Sequence, residues 1–313
     1  MERLYSDEAV PAHLRGAIVA LGNFDGFHLG HQAVVGRAIE RASISGRPVI
    51  VATFDPHPAR FFRPDAPPFR LTSLDQRERL FAAAGADAML VFRFDKALAA
   101  TSAEDFVRLL VEGMGAVGVV TGADFTFGKA RGGSVATLSE LGTSMGFAVK
   151  AVDPVTDGEG HVVSSSRIRE ALTSGDCATA TRLLTRPFAI EGAVVHGDKV
   201  GRELGFPTAN VDLGRYLRPA YGVYAVRGRL PDGRVLDGAA NLGIRPQFEP
   251  PKLLLEPHFF DFSGDLYGQC VEVELIEHIR GEAKFDGLDA LKAQIARDCE
   301  TARHILAEHP RLA

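Results

Sequence analysis

Cysteine is scarce: Cys177, Cys270 and Cys299 are the only three in 313 residues. An odd, scattered set without a Cys-x-x-Cys pair offers no disulfide framework, so a reducing, cytoplasmic setting is expected. Long apolar runs are missing too. The richest, residues 111–123, is short and broken by Glu112 and several glycines, too little for a membrane span. Met1 to Glu8 contain no apolar core of a secretory signal. Nor is there an excess of positive charge: 35 basic and 40 acidic residues give a formal −5. That speaks against coating nucleic acid or an anionic membrane, while leaving room for a local basic pocket. No internal repeat and no low-complexity tract occurs. Secreted, fibrous, disordered and membrane-spanning classes fall away. What remains is an ordinary globular composition, 46% hydrophobic and 24% charged. The length suits two domains at roughly 100–200 residues each, and either half can bury a core without staples.

The two halves follow different patterns. In the first, short continuous apolar runs alternate with helix-like stretches. Strands are predicted at residues 17–21, 48–54, 88–92, 116–122 and 147–152, and helices at 30–42, 80–84 and 103–111. Such runs imply a parallel sheet covered on both faces, an α/β doubly wound domain with its ligand site beyond the carboxyl ends of the strands. After Leu183-Leu184-Thr185-Arg186-Pro187 the pattern changes. Strands are predicted at 188–195, 222–230, 235–242, 253–260 and 271–276, separated by turns such as Pro231-Asp232-Gly233. This reads as a small antiparallel β-barrel or sandwich. A helix with Leu288, Leu291, Ile295, Ala302 and Leu306 on one face closes it. The expected domains are 1–186 and 187–313.

The strongest motif sits where the first strand meets its helix: Gly22-Asn23-Phe24-Asp25-Gly26-Phe27-His28-Leu29-Gly30-His31. Glycines let backbone N–H groups approach an anion, and the helix N-terminus favours negative charge. His28 and His31 are three apart, so both can face one phosphate. A tight turn with two surface histidines, or a metal site, are the other readings. No further His or Cys cluster at suitable spacing supports the metal. A second piece, Ser164-Ser165-Ser166-Arg167-Ile168-Arg169, is either a plain helix N-cap or an anion clamp of hydroxyls with an arginine one turn in.

The second half carries Gly197-Asp198-Lys199-Val200-Gly201-Arg202, continuing to Gly205-Phe206-Pro207-Thr208-Ala209-Asn210. No Gly-x-x-x-x-Gly-Lys-Ser/Thr string occurs, which excludes a P-loop kinase by motif. Glycines with Lys199 and Arg202 can still wrap phosphates. Thr208 and Asn210 share one face of an extended segment, and their neutral oxygens suit Mg2+ when phosphates complete the shell. Taken alone, Pro-Thr-x-Asn reads equally as a loop satisfying its own backbone.

Together these strings resemble a known family. Residues 22–31 with the distant Ser164-Ser165-Ser166-x-x-Arg169 are similar to the nucleotidylyltransferase superfamily. The whole chain resembles, more narrowly, the prokaryotic bifunctional riboflavin kinase/FMN adenylyltransferase family, the FAD synthetases. Matching segments include residues 53–58, 122–128, 241–248, 256–262 and 264–268. Two positions depart from the family pattern: Ser166 and Gln247 both stand where threonine is usual.

The resemblance implies a Rossmann-like adenylyltransferase domain followed by a riboflavin kinase β-barrel. ATP would be used twice, with Mg2+, to turn riboflavin into FMN and FMN into FAD, releasing ADP and pyrophosphate. It assigns His28 and His31 to phosphate stabilisation, and Gly22, Asn23, Phe24, Asp124, Ser165, Ser166 and Arg169 to ATP in the first site. In the second it assigns Gly197, Lys199, Gly201, Arg202, Thr208 and Asn210 to ATP, Thr208 and Asn210 also to the metal. Glu256 is the expected catalytic base and, with Phe285, a flavin contact. His57 is a further site candidate without an assigned role. For Asp124 a turn residue, for His57 a restrained X-Pro loop, and for Phe285 a core role are the plainer readings. A flavin-binding carrier or regulatory protein, and an enzyme with only one activity, are the competing functions. No nucleic-acid or membrane partner is expected, and the oligomeric state is left open.

Overall fold

A computed structural model of the chain describes residues 1–196, 205–245 and 252–309. Gly197, Lys199, Gly201, Arg202 and Gln247 lie outside the described residues. By internal contacts the chain divides into two compact units, Met1–Ala66 with Leu74–Ser164, and Pro67–Ser73 with Ser165–Ala313.

The first unit is built on a six-stranded parallel sheet. Its strands are β1 (Glu2–Tyr5), β2 (Ile18–Leu21), β3 (Val49–Asp55), β4 (Ala88–Arg93), β5 (Gly118–Gly122) and β6 (Ala148–Val152), in the order β1-β4-β3-β2-β5-β6. Side chains alternate across the central strands. Val19, Leu21, Ile50, Ala52, Leu90 and Phe92 enter one core, and Ile18, Ala20, Val49, Val51, Met89 and Val91 enter the other. Both faces are therefore buried, as the unbroken apolar runs predict. Helix α1 (Leu29–Ser45) follows β2 and buries Val34, Val35, Ala38 and Ala42. The remaining helices are α2 (Pro58–Phe62), α3 (Leu74–Ala84), α4 (Lys96–Ala100), α5 (Ala103–Arg108) and α6 (Val135–Ser144).

The structure departs from the predicted elements in a few places. Strand β1 was not expected, because its Glu2 and Arg3 break the apolar pattern; it pairs only along the edge of β4. Helix α3 starts six residues before the predicted Leu80. The helix predicted to Val111 is α-helical only to Arg108. It then widens over Leu109–Gly113, with the Met114 N–H reaching back to Leu109 O (3.0 Å) ahead of Gly115 at φ 68°.

From β2 the chain builds outward through β3 and β4, then crosses to the other side for β5 and β6. The switch point lies between β2 and β5, and the loops leaving their carboxyl ends are where such sheets bind ligands.

The second unit is a closed six-stranded antiparallel barrel. Its strands are β7 (Phe188–Val195), β8 (Asn210–Asp212), β9 (Gly222–Arg229), β10 (Val235–Arg245), β11 (Lys252–Phe259) and β12 (Cys270–Arg280), in the order β10-β11-β8-β7-β12-β9. The sequence left barrel and sandwich open, and closure of β9 on β10 makes it a barrel. Helix α9 (Leu288–Glu308) packs Ala302, Ile305 and Leu306 against β9 and β10 residues such as Ala225 and Ala239. Arg227 of β9 is buried and donates to Leu306 O (2.9 Å) and to His309 O, so a cation meets the negative end of this helix. Helices α7 (Ser165–Ser174) and α8 (Cys177–Leu184) pack with the barrel; the Ala220 N–H donates to Leu172 O (3.0 Å).

Burial pushes the Cys177 thiol up from 9.0 to about 12, and pushes the Tyr216 hydroxyl up from 10.0 to about 12. Both groups keep their protons in the folded unit when the unfolded chain has lost them. Their contribution is thus complete below pH 9 and is lost as pH rises towards 12. We expect the stability of the protein against urea to fall between pH 9 and 11, by at most about 1.4 kcal/mol per pH unit for each group. Cys177→Ala should flatten that slope by up to one proton. Equal slopes for both proteins would show that Cys177 does not titrate in this way.

Candidate functional site

The loop from β2 to α1 is held in an uncommon conformation. Phe24 (φ 49°) and Phe27 (φ 45°) are both left-handed, with Gly26 at φ 90° between them. Non-glycine residues there cost of order 1–3 kcal/mol each and persist only where the surroundings enforce them. The enforcement is visible. Phe81 of α3 meets Phe24 and Phe27 edge-on, with ring centroids 5.7 and 5.1 Å away. Thr53 of β3 donates to Asn23 O (2.8 Å), and Thr121 of β5 donates to Leu21 O (2.8 Å). The end of β2 is thus gripped from both neighbouring strands.

That conformation delivers the two histidines. The imidazoles of His28 and His31 stack with centroids 3.7 Å apart and planes 20° off parallel. Phe24 stands edge-on to His31 at 5.3 Å. A Cβ at Gly30 would lie 3.2 Å from the His28 ring, so any side chain there would crowd the stacked pair. His28 is also the N-cap of α1, and its side chain makes no capping hydrogen bond. The first turn of a 17-residue helix therefore presents backbone N–H groups uncapped by a side chain, a setting that favours an anion. Asn23 Oδ1 is a buried acceptor with no donor among the described residues. A bound nucleoside, with amino and hydroxyl groups, is the type of partner such an atom lacks.

Asp124 is exposed in the loop after β5, where the Phe125 N–H donates to Gly122 O (3.1 Å). This is the turn that the plainer reading expected, at the carboxyl end of the strand beside β2. His57 is half-buried and caps α2, accepting from the Ala59 N–H at Nδ1 (3.1 Å). Among the described residues, Asp157, Glu159 and His161 form the one cluster with metal-ligand spacing. His28 and His31 do not belong to it.

Ser165, Ser166 and Arg169 occupy the first turns of α7, in the second unit. Ser166 is exposed and Ser165 half-buried. Arg169 donates from Nε to Phe69 O (2.9 Å), and its guanidinium lies over the Phe69 ring at 5.2 Å. Ring and carbonyl together fix the direction of the guanidinium.

In the barrel, strand register assembles the second candidate site. Leu255 pairs with Val211 on β8 and with Leu242 on β10, and all three are buried. One residue on, Glu256 pairs with Asn241 and, by the same register, stands opposite Asn210. The Ala209 N–H to Pro257 O bond (3.0 Å) carries that register forward. Thr208 then comes opposite His258, whose ring nitrogen Nδ1 meets Pro207 O at 2.8 Å. Thr208, Asn210, Glu256 and Asn241 therefore share one face, with opposed Cβ atoms about 5 Å apart. Two neutral oxygen donors beside a carboxylate suit Mg2+ whose shell is completed by phosphates.

Phe285 is half-buried on the segment leading to α9. Arg280 lies over its ring at 5.6 Å and is held by Asp298, with Nε–Oδ1 3.0 Å and Nη2–Oδ2 2.7 Å. Gln294 donates to the same carboxylate (2.8 Å). The ring is thus backed by an ordered cation rather than sunk in the core.

Sequence reading missed Asn241 as the partner of Glu256, and missed the residues beneath the first loop. Arg77 of α3 is the largest of these. Its side chain is 2% exposed, and it donates to Thr53 Oγ1 (3.1 Å) and to Asp25 Oδ1 (3.3 Å). In the charged string Asp75-Gln76-Arg77-Glu78-Arg79 nothing marks it as buried.

Residues 10–167 match the family described as FAD synthetase, and residues 184–306 match the one described as riboflavin kinase. The bifunctional riboflavin kinase/FMN adenylyltransferase of Escherichia coli K12 is 42% identical over 289 residues, covering 92% of each chain. The protein of that name from Bacillus subtilis is 38% identical and covers 91% of each. A crystal structure titled as a macrolide-efflux protein from Streptococcus pneumoniae superposes with a TM-score of 0.86 at 31% identity, covering 97% of this chain and 99% of that one. With both halves matched and relatives aligned nearly end to end, the chain belongs to the bifunctional riboflavin kinase/FMN adenylyltransferase family.

Proposed function

We infer that the chain carries both activities of its family, phosphorylating riboflavin to FMN in the barrel and adenylylating FMN to FAD in the α/β unit. The observation that carries this reading is the presence, in one chain, of two phosphate-type sites of unrelated architecture: a strained strand-to-helix loop with paired histidines, and a strand face with Thr208, Asn210 and Glu256. A flavin carrier needs a ring pocket but neither of these. Both reactions consume ATP. The functional border falls near Pro187, and the enzyme works in the cytoplasm.

In the α/β unit, a phosphate oxygen of FMN attacks the α-phosphorus of ATP. A P–O bond forms, the bond to the β-phosphate breaks, and pyrophosphate leaves. The nucleophile is already an anion, so no general base is needed. Catalysis is positioning and charge stabilisation. His28 and His31 donate to phosphate oxygens as negative charge shifts towards the leaving pyrophosphate. The N-terminus of α1 adds its N–H groups, while Gly22, Asn23, Phe24 and Asp124 hold the nucleoside. Ser165, Ser166 and Arg169, on the segment that follows this unit in the chain, are assigned to the triphosphate of ATP by the family resemblance.

In the barrel, Glu256 accepts the proton of the primary 5′-hydroxyl of riboflavin as that oxygen attacks the γ-phosphorus and ADP leaves. Thr208 and Asn210 would hold a Mg2+ ion, which when bound neutralises charge on the ATP phosphates. Gly197, Lys199, Gly201 and Arg202 wrap those phosphates. Phe285, backed by Arg280, stacks on the flavin ring.

The direct test is to incubate the protein with riboflavin, ATP and Mg2+ and to follow FMN, FAD and pyrophosphate over time. FMN should appear first, then FAD with equimolar pyrophosphate. Accumulation of FMN alone would leave a single activity. Bound flavin without turnover of ATP would point to a carrier.

A further inference from the structure

The buried network beneath the histidine loop has no part in the chemistry described so far. Arg77 and Phe81 lie four apart on α3 and so project from one face of it. Phe81 packs against the rings of Phe24 and Phe27. Arg77 reaches the polar atoms of the same loop. It donates to Asp25 Oδ1 (3.3 Å) directly, and to Thr53 Oγ1 (3.1 Å), which in turn donates to Asn23 O (2.8 Å). Asn23 and Asp25 are the residues on either side of Phe24, whose φ of 49° turns its ring towards His31. Arg77, Asp25 and Thr53 are all essentially inaccessible to water. A buried guanidinium is expensive unless every partner is well placed, and such groups serve geometric uniqueness better than stability.

We propose that Arg77 is a positioning residue for adenylyl transfer: through Asp25 and Thr53 it holds both flanks of the left-handed Phe24, and thereby the placement of His28 and His31 against the phosphates. The proposal rests on the reading of this loop as the adenylyltransferase site. Arg77 itself touches no substrate. Its loss should therefore appear in the rate of the chemical step more than in ATP binding, because the N–H groups of α1 remain. A guanidinium can satisfy two acceptors in fixed directions, whereas a lysine ammonium is a point charge on a flexible stem. Lysine at this position keeps Asp25 paired but cannot bridge to Thr53 as well.

The test compares wild type with Arg77→Lys, Arg77→Met and Thr53→Val. Three quantities are measured on each: kcat and KM for ATP in FAD formation from supplied FMN, the rate of riboflavin phosphorylation, and thermal unfolding. Misplacement of a catalytic group by about 1 Å costs on the order of 10²-fold, so Arg77→Met should lose about that in kcat. Arg77→Lys and Thr53→Val should each lose a smaller factor, with KM for ATP changed far less than kcat. Riboflavin phosphorylation should stay at the wild-type rate in all three. If Arg77→Met does not fold, the two milder variants carry the test, since one keeps the charge and the other keeps the shape. A folded Thr53→Val or Arg77→Lys protein with wild-type kcat would overturn the proposal. So would a loss confined to KM, or one shared equally by both activities. Absence of FAD formation in the wild type would instead refute the assignment of the loop itself.

Discussion

His28→Ala is expected to abolish FAD formation from FMN, a loss of at least ~10²-fold, the cost of removing one preorganised donor from a charge-stabilising site. The reaction needs no base, so nearly all its catalysis lies in donors fixed before the substrate arrives. His28 is 6% exposed, stacked on His31 at 3.7 Å and seated at the N-terminus of α1. Removing it takes away a donor and also the ring against which His31 is held, so the loss should exceed that of a single isolated hydrogen bond. The barrel supplies an internal control, because FMN formation from riboflavin uses none of these residues and should continue unchanged. FMN should therefore accumulate in the variant where the wild type goes on to FAD. Retained FAD formation would reject the catalytic role of His28. Loss of both activities would point to misfolding, which thermal unfolding would reveal.

Much of the architecture was legible because local pattern and tertiary environment agree. Central strands β2, β3 and β4 are buried on both faces, and apart from Thr53 and the terminal Asp55 and Arg93 their sequences are apolar. The first loop was legible because its left-handed turn needs Gly26 at a fixed place, and because His28 and His31 lie only three residues apart in sequence, close enough for their rings to stack at 3.7 Å. What escaped was non-local or masked by polarity. Strand β1 carries Glu2 and Arg3 and is paired on one side only, so its sequence shows no strand alternation. Strand β8 spans only Asn210–Asp212, too short for any periodicity. Arg77 sits in a charged string that looks solvated, yet the fold buries Gln76 and Arg77 while Asp75 and Glu78 turn outward to meet Arg3. The pairing of Glu256 with Asn241 and Asn210 depends on the registers of three strands. No spacing within the sequence announces it.

That register makes the second large effect the more specific. Glu256→Gln should depress riboflavin phosphorylation by at least ~10²-fold, the low end of general-base contributions. Gln preserves the shape and the hydrogen-bonding reach of the side chain but cannot take the hydroxyl proton. Because Glu256 stands opposite Asn210 in the barrel register and pairs with Asn241, the amide should be accommodated without disturbing the ladder. Riboflavin and ATP should still bind, and the loss should fall on kcat. Supplying FMN bypasses the step, so the same preparation should make FAD from FMN at the wild-type rate. His28→Ala and Glu256→Gln thus block successive reactions, and mixing the two variants should restore FAD formation from riboflavin, each protein contributing its intact unit. Restoration requires FMN to leave one molecule and reach another. A mixture that makes FMN but no FAD, while each variant retains its single activity, would show that FMN released by one copy does not reach the adenylyltransferase of another. A near-wild-type rate of phosphorylation in Glu256→Gln would reject its role as the base.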